Sequence, residues 1–156
     1  MKKIIFLLTI ALNLQAFSQV KLYRGDSSFD SDIAYTIENG IVYHGDNTFN
    51  RKVMFTIEDD KIYIGQSTSS FNCLYTIADN HVYRGDSKFS TDIIYTIEDT
   101  KVYRGNSTFS NNCILTIEDE KIYMGDSTFP SDIWFTIKAT GESLSLAVLA
   151  CIVGPY

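Results

Sequence analysis

The 156-residue sequence contains few of the side chains on which most enzymes rely. It has two histidines, His44 and His81, and histidine is the side chain whose unperturbed pKa lies near neutral pH. Both stand where other copies of a sequence repeat carry arginine or lysine, and no nucleophile-elbow or metalloprotease motif accompanies them. We therefore predict that the chain is not an enzyme and has no catalytic residue or cofactor, with a hydrolase as a distant alternative.

The sequence also lacks an apolar run of about 20 residues, the length that a helix needs to span a bilayer. A shorter run at residues 4–12 follows Lys2 and Lys3 and precedes the small residues Ala16 and Ser18. This order of charge, apolar run and small residues is typical of a cleaved export signal. We predict a signal peptide over residues 1–18, a periplasmic or extracellular location in a bacterium, and no membrane span after cleavage.

Basic residues are outnumbered by acidic ones. Residues 1–18 contain two lysines and no acidic residue, so the chain that remains has 11 basic residues against 19 acidic ones and a net charge of −8. This charge repels a phosphate backbone, and we predict no nucleic-acid partner.

What the sequence does contain is a unit of twenty residues repeated six times, with a glycine at the same place in every copy. A tyrosine stands two places before each glycine, and a Thr-Ile pair stands eleven and twelve places after it. The glycines are Gly25, Gly45, Gly65, Gly85, Gly105 and Gly125. Repetition of this kind predicts a scaffold of like units, whereas catalysis needs unlike groups that converge on one point.

Each unit is predicted to contain one β-hairpin. Residues 93–98 and 101–104 are rich in β-branched and aromatic side chains, and two turn-forming residues separate them. Counting outward from the turn pairs Glu98 with Lys101, as expected for opposite charges across a hairpin. The alternation predicts a core face with Ile93, Tyr95, Ile97 and Val102, and a second face with Ile94, Thr96, Glu98 and Tyr103.

The loops between hairpins and the cysteines also lead to specific expectations. The loop phenylalanines are expected to fold back onto the sheet: Phe29, Phe49, Phe89, Phe109 and Phe129.

Cys73 and Cys113 occupy an isoleucine position of the repeat, which predicts small core side chains too far apart for a disulfide bond. Either one remains a possible partner for Cys151.

The repeat begins and ends halfway through a hairpin. Residues 22–24 form a second strand without a first, and residues 133–137 form a first strand without a second. If these two strands pair, six hairpins close into a flower-like ring without a free edge, and the alternative is an open stack. After residues 19–141, the apolar tail at residues 142–156 is predicted to form a short buried helix with Ser143 as its N-cap.

The run YRGDSKFSTDIIYTIED, together with the apolar tail, resembles the four-fold beta-flower family of bacterial proteins. The resemblance implies an all-β chain of like hairpins that ends in an apolar helix. It implies no established activity.

Two sets of residues are candidates for binding. The repeated tyrosines could stack on sugars or contact a protein, or could pack over the cross-strand threonines: Tyr23, Tyr43, Tyr63, Tyr83, Tyr103 and Tyr123. Loop carboxylates such as Asp26 with Asp32 offer calcium ligands, but Asx and Ser turns account for them and we predict no metal site. We predict an exported, non-enzymatic binding or structural module with an unknown protein or glycan partner, and a carbohydrate-binding protein as the alternative.

Overall fold

The structure is a computed structural model that describes residues 19–46, 52–141 and 143–154. The predicted signal peptide, residues 1–18, lies outside these residues, as does Phe49. Short strands account for about half of the described chain. Their bounds are β1 Gln19–Arg24, β2 Ile33–Glu38, β3 Ile41–His44, β4 Val53–Glu58, β5 Lys61–Ile64, β6 Cys73–Ala78, β7 His81–Arg84, β8 Ile93–Glu98, β9 Lys101–Arg104, β10 Cys113–Glu118, β11 Lys121–Met124 and β12 Ile133–Thr140. The helix α1, Leu146–Val153, follows them.

The twelve described strands close into a ring, an antiparallel barrel without a free edge among them. Consecutive strands are neighbours in the ring, and β1 pairs with β12 as well as with β2. In this last pairing Leu22 faces Ile137, and β12 continues to Thr140 beside Gln19. The closed arrangement predicted from the two incomplete hairpins is confirmed. The open stack is wrong, because the first and last strands supply each other's missing partner.

The seam between β1 and β12 is bonded like every other hairpin of the ring. The Thr136 hydroxyl donates a hydrogen bond to the Gly25 carbonyl at 2.8 Å, and the Gly25 amide donates to the Trp134 carbonyl at 2.8 Å. The same threonine-to-glycine bond joins Thr36 to Gly45, Thr56 to Gly65, Thr76 to Gly85, Thr96 to Gly105 and Thr116 to Gly125. These glycines have φ between 61° and 71°, where a residue with a Cβ is strained. One hydrogen-bonded corner therefore explains both the repeated threonine and the repeated glycine.

Two-residue turns close the hairpins at the opposite end. Asn39 and Gly40 both have positive φ, as a type I′ turn requires. The equivalent first residues have φ between 49° and 52°: Asp59, Asp79, Asp99 and Asp119. At the second position Asn80 and Glu120 also have positive φ. Glutamate is the less suited of these two residues, because asparagine tolerates the left-handed region better.

Replacing Glu120 by glycine is expected to raise the free energy of unfolding by about 1 kcal/mol, because glycine adopts this φ without steric cost. Thr100 occupies the same turn position without a positive φ, so Thr100→Gly is the matched control and is expected to destabilise. Both carbonyls accept a bond from the next hairpin, Glu120 from the Ile137 amide at 2.7 Å and Thr100 from the Ile117 amide at 2.8 Å. Urea unfolding measures the difference, and destabilisation by Glu120→Gly would contradict the turn assignment.

A bulge near the start of each first strand changes the predicted faces. In β8 the register shifts so that Ile93 faces Tyr83 while Tyr95 faces Val82, which leaves Ile94 as the extra residue. Residues that face each other across a ladder share one side of the sheet, so Ile93 lies outside with Tyr83. Ile94 packs against the inner cluster together with Tyr95. The predicted positions of Ile93 and Ile94 are therefore wrong.

Helix α1 lies inside the ring. Its side chains from Ala147 to Val153 are buried in one cluster with inner strand residues such as Val82 and Leu115. The Ser145 hydroxyl accepts a hydrogen bond from the Val148 amide at 3.3 Å, so the N-cap is Ser145 and the predicted Ser143 is wrong. The described chain contains no helix with the length and apolar character needed to cross a membrane.

All three cysteines are free thiols. Cys73 is buried and Cys113 is half-buried, and their sulfur atoms lie 3.9 Å from the hydroxyl oxygens of Thr76 and Thr116. They belong to the outer layer and not to the predicted core, because the bulge places their position opposite the repeated tyrosine. The bond to Cys151 that the sequence left open is not formed.

Cys151 is expected to resist thiol reagents in the folded protein at mildly alkaline pH. Burial inside the ring raises the pKa of its thiol to about 12, so the reactive thiolate is scarce. The half-buried Cys113 serves as the internal control and should react first. Peptide mapping after labelling in native buffer and in guanidinium measures both sites. Rapid native labelling of Cys151 would show that the helix leaves the ring.

Lysine–aspartate ion pairs connect neighbouring hairpins on the outer surface. Lys101 faces Glu98 across its hairpin as predicted, but its amine contacts Asp126 at 2.6 Å, so the predicted Glu98–Lys101 attraction is replaced by a longer-range pair. The equivalent pairs are Lys21–Asp46, Lys61–Asp86 and Lys121–Asp26. In each pair the hydrogen bond to the aspartate raises the pKa of the lysine. These exposed pairs fix neighbouring hairpins but contribute little stability each.

Candidate binding site at the loop end of the ring

The antiparallel order gives the ring two different ends. The short turns lie at one end, and the longer connections, such as residues 85–92, lie at the other, which we call the loop end. In this connection the Ser87 hydroxyl donates to Asp92 at 2.5 Å and accepts a bond from the Phe89 amide at 3.2 Å. A 3-10 turn at Ser90–Asp92 then leads into β8. Serine and aspartate therefore satisfy the loop internally.

The carboxylates considered as calcium ligands have protein partners. Asp32 accepts a hydrogen bond from the Ser27 hydroxyl at 2.5 Å, and Asp26 forms an ion pair with Lys121 at 3.0 Å. In the sixth copy, Asp132 accepts from Ser127 and Asp126 pairs with Lys101. These contacts support the turn interpretation of the loop residues.

The loop phenylalanines point away from the sheet. Phe29, Phe89, Phe109 and Phe129 are 72 to 75% exposed, and Phe71 in the third connection is 97% exposed. The expectation that these rings fold back is wrong for the four rings of the repeated position that the structure describes; Phe49 lies outside it. In each of these loops, the hydroxyl of the serine two residues earlier accepts a hydrogen bond from the phenylalanine amide, so a local bond orders the backbone while the ring stays exposed. The loop end thus carries several separate apolar side chains in solvent.

At the loop end, β1 and each of the five four-residue strands end in an exposed residue. We call these six last residues the rim of the ring. These six exposed side chains are Arg24, His44, Ile64, Arg84, Arg104 and Met124. Each faces an inner residue of the neighbouring strand; Arg84 faces Tyr75 and Arg104 faces Tyr95. The rim is therefore chemically uneven although the backbone repeats.

A pocket of about 540 Å³ opens beside the two neighbouring arginines of the rim. The described residues that line it are Leu74, Tyr75, Arg84, Ile93, Ile94, Tyr95, Arg104 and Gly105. The end of the central helix reaches the same level, because a Cβ at Gly154 would come within 2.7 Å of the Tyr95 hydroxyl oxygen. The volume lies in the range of small-molecule sites, which are mostly apolar with a few polar groups.

Comparison with known proteins adds one finding to this geometry. The sequence pattern of a family described as 6-fold beta flower protein matches residues 22–149. The chain belongs to this beta-flower family. Comparisons with curated proteins and with solved structures gave no match. The four-fold family named from the sequence is a close but different one, and the six hairpins of the ring agree with the six-fold description.

The beta-flower family has an unknown function and is not a known enzyme family. In this member the two histidines lie on different strands. His44 stands at the rim with its ring centroid 6.3 Å from that of Tyr35. His81 lies on the outer side of β7 near Tyr83, with a ring-centroid distance of 6.0 Å. The structure does not bring the histidines together.

The repeated tyrosines of this beta flower lie in the outer layer of the ring. Their exposure is 5 to 8% for Tyr23, Tyr43, Tyr63, Tyr83, Tyr103 and Tyr123. Tyr103 faces Thr96 across its hairpin, and desolvation raises the pKa of Tyr63 and Tyr103. This burial favours the packing role over ligand binding, which stays a prediction.

The sequence reasoning missed the pocket. One signal was present, because the rim position changes between copies while its surroundings repeat. Arg84 and Arg104 are the arginines of two consecutive copies, whereas Arg24 is followed by His44 in the next copy. Differences between copies of a repeat are therefore the place to search for function, since the shared residues build the ring.

Proposed function

We propose that the protein is an exported, non-enzymatic binding module that uses the ring as a rigid scaffold and the loop end as its contact surface. The exposure of the loop phenylalanines carries this proposal. Aromatic side chains are enriched at binding interfaces, and the described loop phenylalanines all lie at the loop end of the ring. Export is supported by the sequence of residues 1–18.

The partner that we test first is a repeating glycan of the cell envelope. Several like loops around one ring offer several like sites, and a repeating polymer can occupy more than one of them at once. A protein that contacts the phenylalanines as one surface is the alternative. A glycan and a protein partner can be distinguished by the effect of chain length. A glycan that occupies several sites at once should bind more tightly as its chain grows longer.

The experiment compares the mature chain, residues 19–156, with a triple variant, Phe89→Ser, Phe109→Ser and Phe129→Ser. Serine already occupies this position at Ser69, so the ring tolerates the substitution. Since the rings are exposed, each substitution is expected to change the free energy of unfolding by less than about 0.5 kcal/mol. A thermal-shift and co-sedimentation screen against purified peptidoglycan and envelope polysaccharides is expected to show binding that the triple variant loses.

A second variant, Tyr43→Ala with Tyr83→Ala, separates this proposal from binding through the tyrosines. These side chains are buried, so their loss is expected to destabilise the ring. Glycan binding that survives the phenylalanine substitutions but disappears with the tyrosine substitutions, in a protein that is still folded, would overturn the loop-end surface. Absence of binding to every glycan would transfer the proposal to a protein partner.

A further inference from the structure

We propose that the rim pocket binds a small amphiphile with one anionic oxygen headgroup, a carboxylate or a phosphate, and a short apolar chain. Arg84 and Arg104 would hold the headgroup, and the apolar lining would cover the chain. This site goes beyond the partner surface formed by the phenylalanines, because it uses other residues and takes a ligand of a different class.

The lining of the pocket suits an apolar chain. Leu74 and Ile94, which pack against the inner cluster, contribute aliphatic side chains, and Tyr75 and Tyr95 contribute rings. A volume of about 540 Å³ corresponds to on the order of 18 water-sized groups at about 30 Å³ each. A chain of ten to twelve carbons with a small headgroup, roughly 12 to 16 non-hydrogen atoms, therefore fits the space.

The two arginines are placed to act together. Arg84 ends β7 and Arg104 ends β9, and β8 lies between these strands. Two strand spacings separate their backbones by about 10 Å, a gap that two arginine side chains can close around one headgroup. Neither arginine forms an ion pair within the described residues, where the salt bridges join lysine to aspartate. Both guanidinium groups are therefore available for charge-assisted hydrogen bonds.

The charges around the pocket favour an anion although the chain is acidic overall. The connections on either side of the loop at residues 85–92, residues 65–72 and 105–112, contain no charged side chain. Between them, Asp86 is neutralised by Lys61 at 2.7 Å. Asp92 accepts a hydrogen bond from the Ser87 hydroxyl, and Lys88 adds a positive charge to the same loop. Among the residues that the structure describes, the positive charge of Arg84 and Arg104 is therefore largely uncompensated.

The repeat itself shows that this combination is local. At the rim position, the six copies carry Arg24, His44, Ile64, Arg84, Arg104 and Met124 in turn. The pair formed by Arg84 and Arg104 is the one place where two arginines stand in adjacent copies. The fold alone does not require arginine there, because isoleucine and methionine occupy the same position elsewhere in the ring.

Isothermal titration of the mature chain with decanoate and with decyl phosphate tests the proposal. Acetate, which lacks the chain, and decyltrimethylammonium, which carries the opposite charge, are the comparison ligands. We expect single-site binding of at least one anionic amphiphile and no measurable binding of either comparison ligand. Arg84→Met and Arg104→Met are each expected to weaken binding about tenfold, the effect of losing a hydrogen bond to a charged group.

Arg24→Met is the matched control, since it makes the same substitution at the same rim position outside the pocket. Methionine at Met124 shows that the position accepts this residue. Equal weakening by Arg24→Met, binding of decyltrimethylammonium as tight as that of decanoate, or no binding of either anion by the folded wild type would overturn the proposal. The triple phenylalanine variant should bind the amphiphile normally, so failure of the pocket and failure of the loop-end surface give different results.

Discussion

Replacing Ile152 by alanine is expected to lower the free energy of unfolding by about 2 to 5 kcal/mol. Ile152 is 2% exposed and packs in the inner cluster, where the helix and the strands share one core. Removing its side chain leaves a cavity that a closed ring cannot collapse to fill, because every strand is held on both sides. Urea unfolding of a chain that comprises residues 19–156, followed by tryptophan fluorescence from Trp134, measures the change.

Leu146→Ala is the control for this substitution. Leu146 begins the same helix but is only half-buried, so its truncation should cost less. If both variants lost the same small amount of stability, the helix would be an appendage of the ring and not the centre of its core. The comparison also excludes a general effect on helix formation, because alanine is a good helix former at both positions.

Leu22→Ala is expected to destabilise the protein by about 2 to 5 kcal/mol, the same amount as Ile122→Ala. The two residues occupy the same position of the repeat, lose three carbons each, and are both 0% exposed. Leu22 is in β1, whose burial depends on the pairing with β12, whereas β11 lies within a continuous run of consecutive strands. Equal costs therefore report a seam as well packed as the rest of the ring.

The measurement is a pair of urea unfolding curves with the two slopes compared as well as the midpoints. A cost for Leu22→Ala well below that for Ile122→Ala would mean that the seam opens in solution. A smaller slope for the Leu22 variant would point the same way, because an open edge exposes surface before the main transition.

The hairpin register and the closure of the ring were predictable because both follow from short-range counting. The turn at Asp99 fixes which residues face each other, and the two incomplete hairpins at the ends indicate each other as partners. The bulge was not predictable, because Ile93, Ile94 and Tyr95 are all apolar. Without a polar residue among them, the sequence does not show which of the three face the core. One extra residue then moves a whole repeat position, including both strand cysteines, to the other side of the sheet.

The ion pairs and the candidate site were not predicted, because they are formed by contacts between different hairpins. Lys101 pairs with Asp126, twenty-five residues away, although Glu98 is nearer in sequence. The repeat contained a signal for this partner: where Ile41 and His81 replace the lysine, the residues twenty-five places later are the neutral Gln66 and Asn106. The exposure of the phenylalanines was not predicted because an apolar residue type was taken to mean burial, whereas the loop backbone is ordered by its own serine hydrogen bond without packing of the ring.

The joining of β1 to β12 has a consequence for how the protein is made. β1 is synthesised first, but its partner β12 is synthesised last. The hydrogen bond from Thr136 to Gly25 joins residues that are 111 positions apart in the chain. Until residues 133–140 are available, every intermediate is an arc with two unpaired strand edges and an incompletely covered interior, the kind of species that aggregates. Such long-range closure also slows folding relative to the rapid local formation of each hairpin. The ring is thus completed late, when β12 pairs with β1. A chain that stops short of β12 keeps unpaired strand edges and is expected to aggregate.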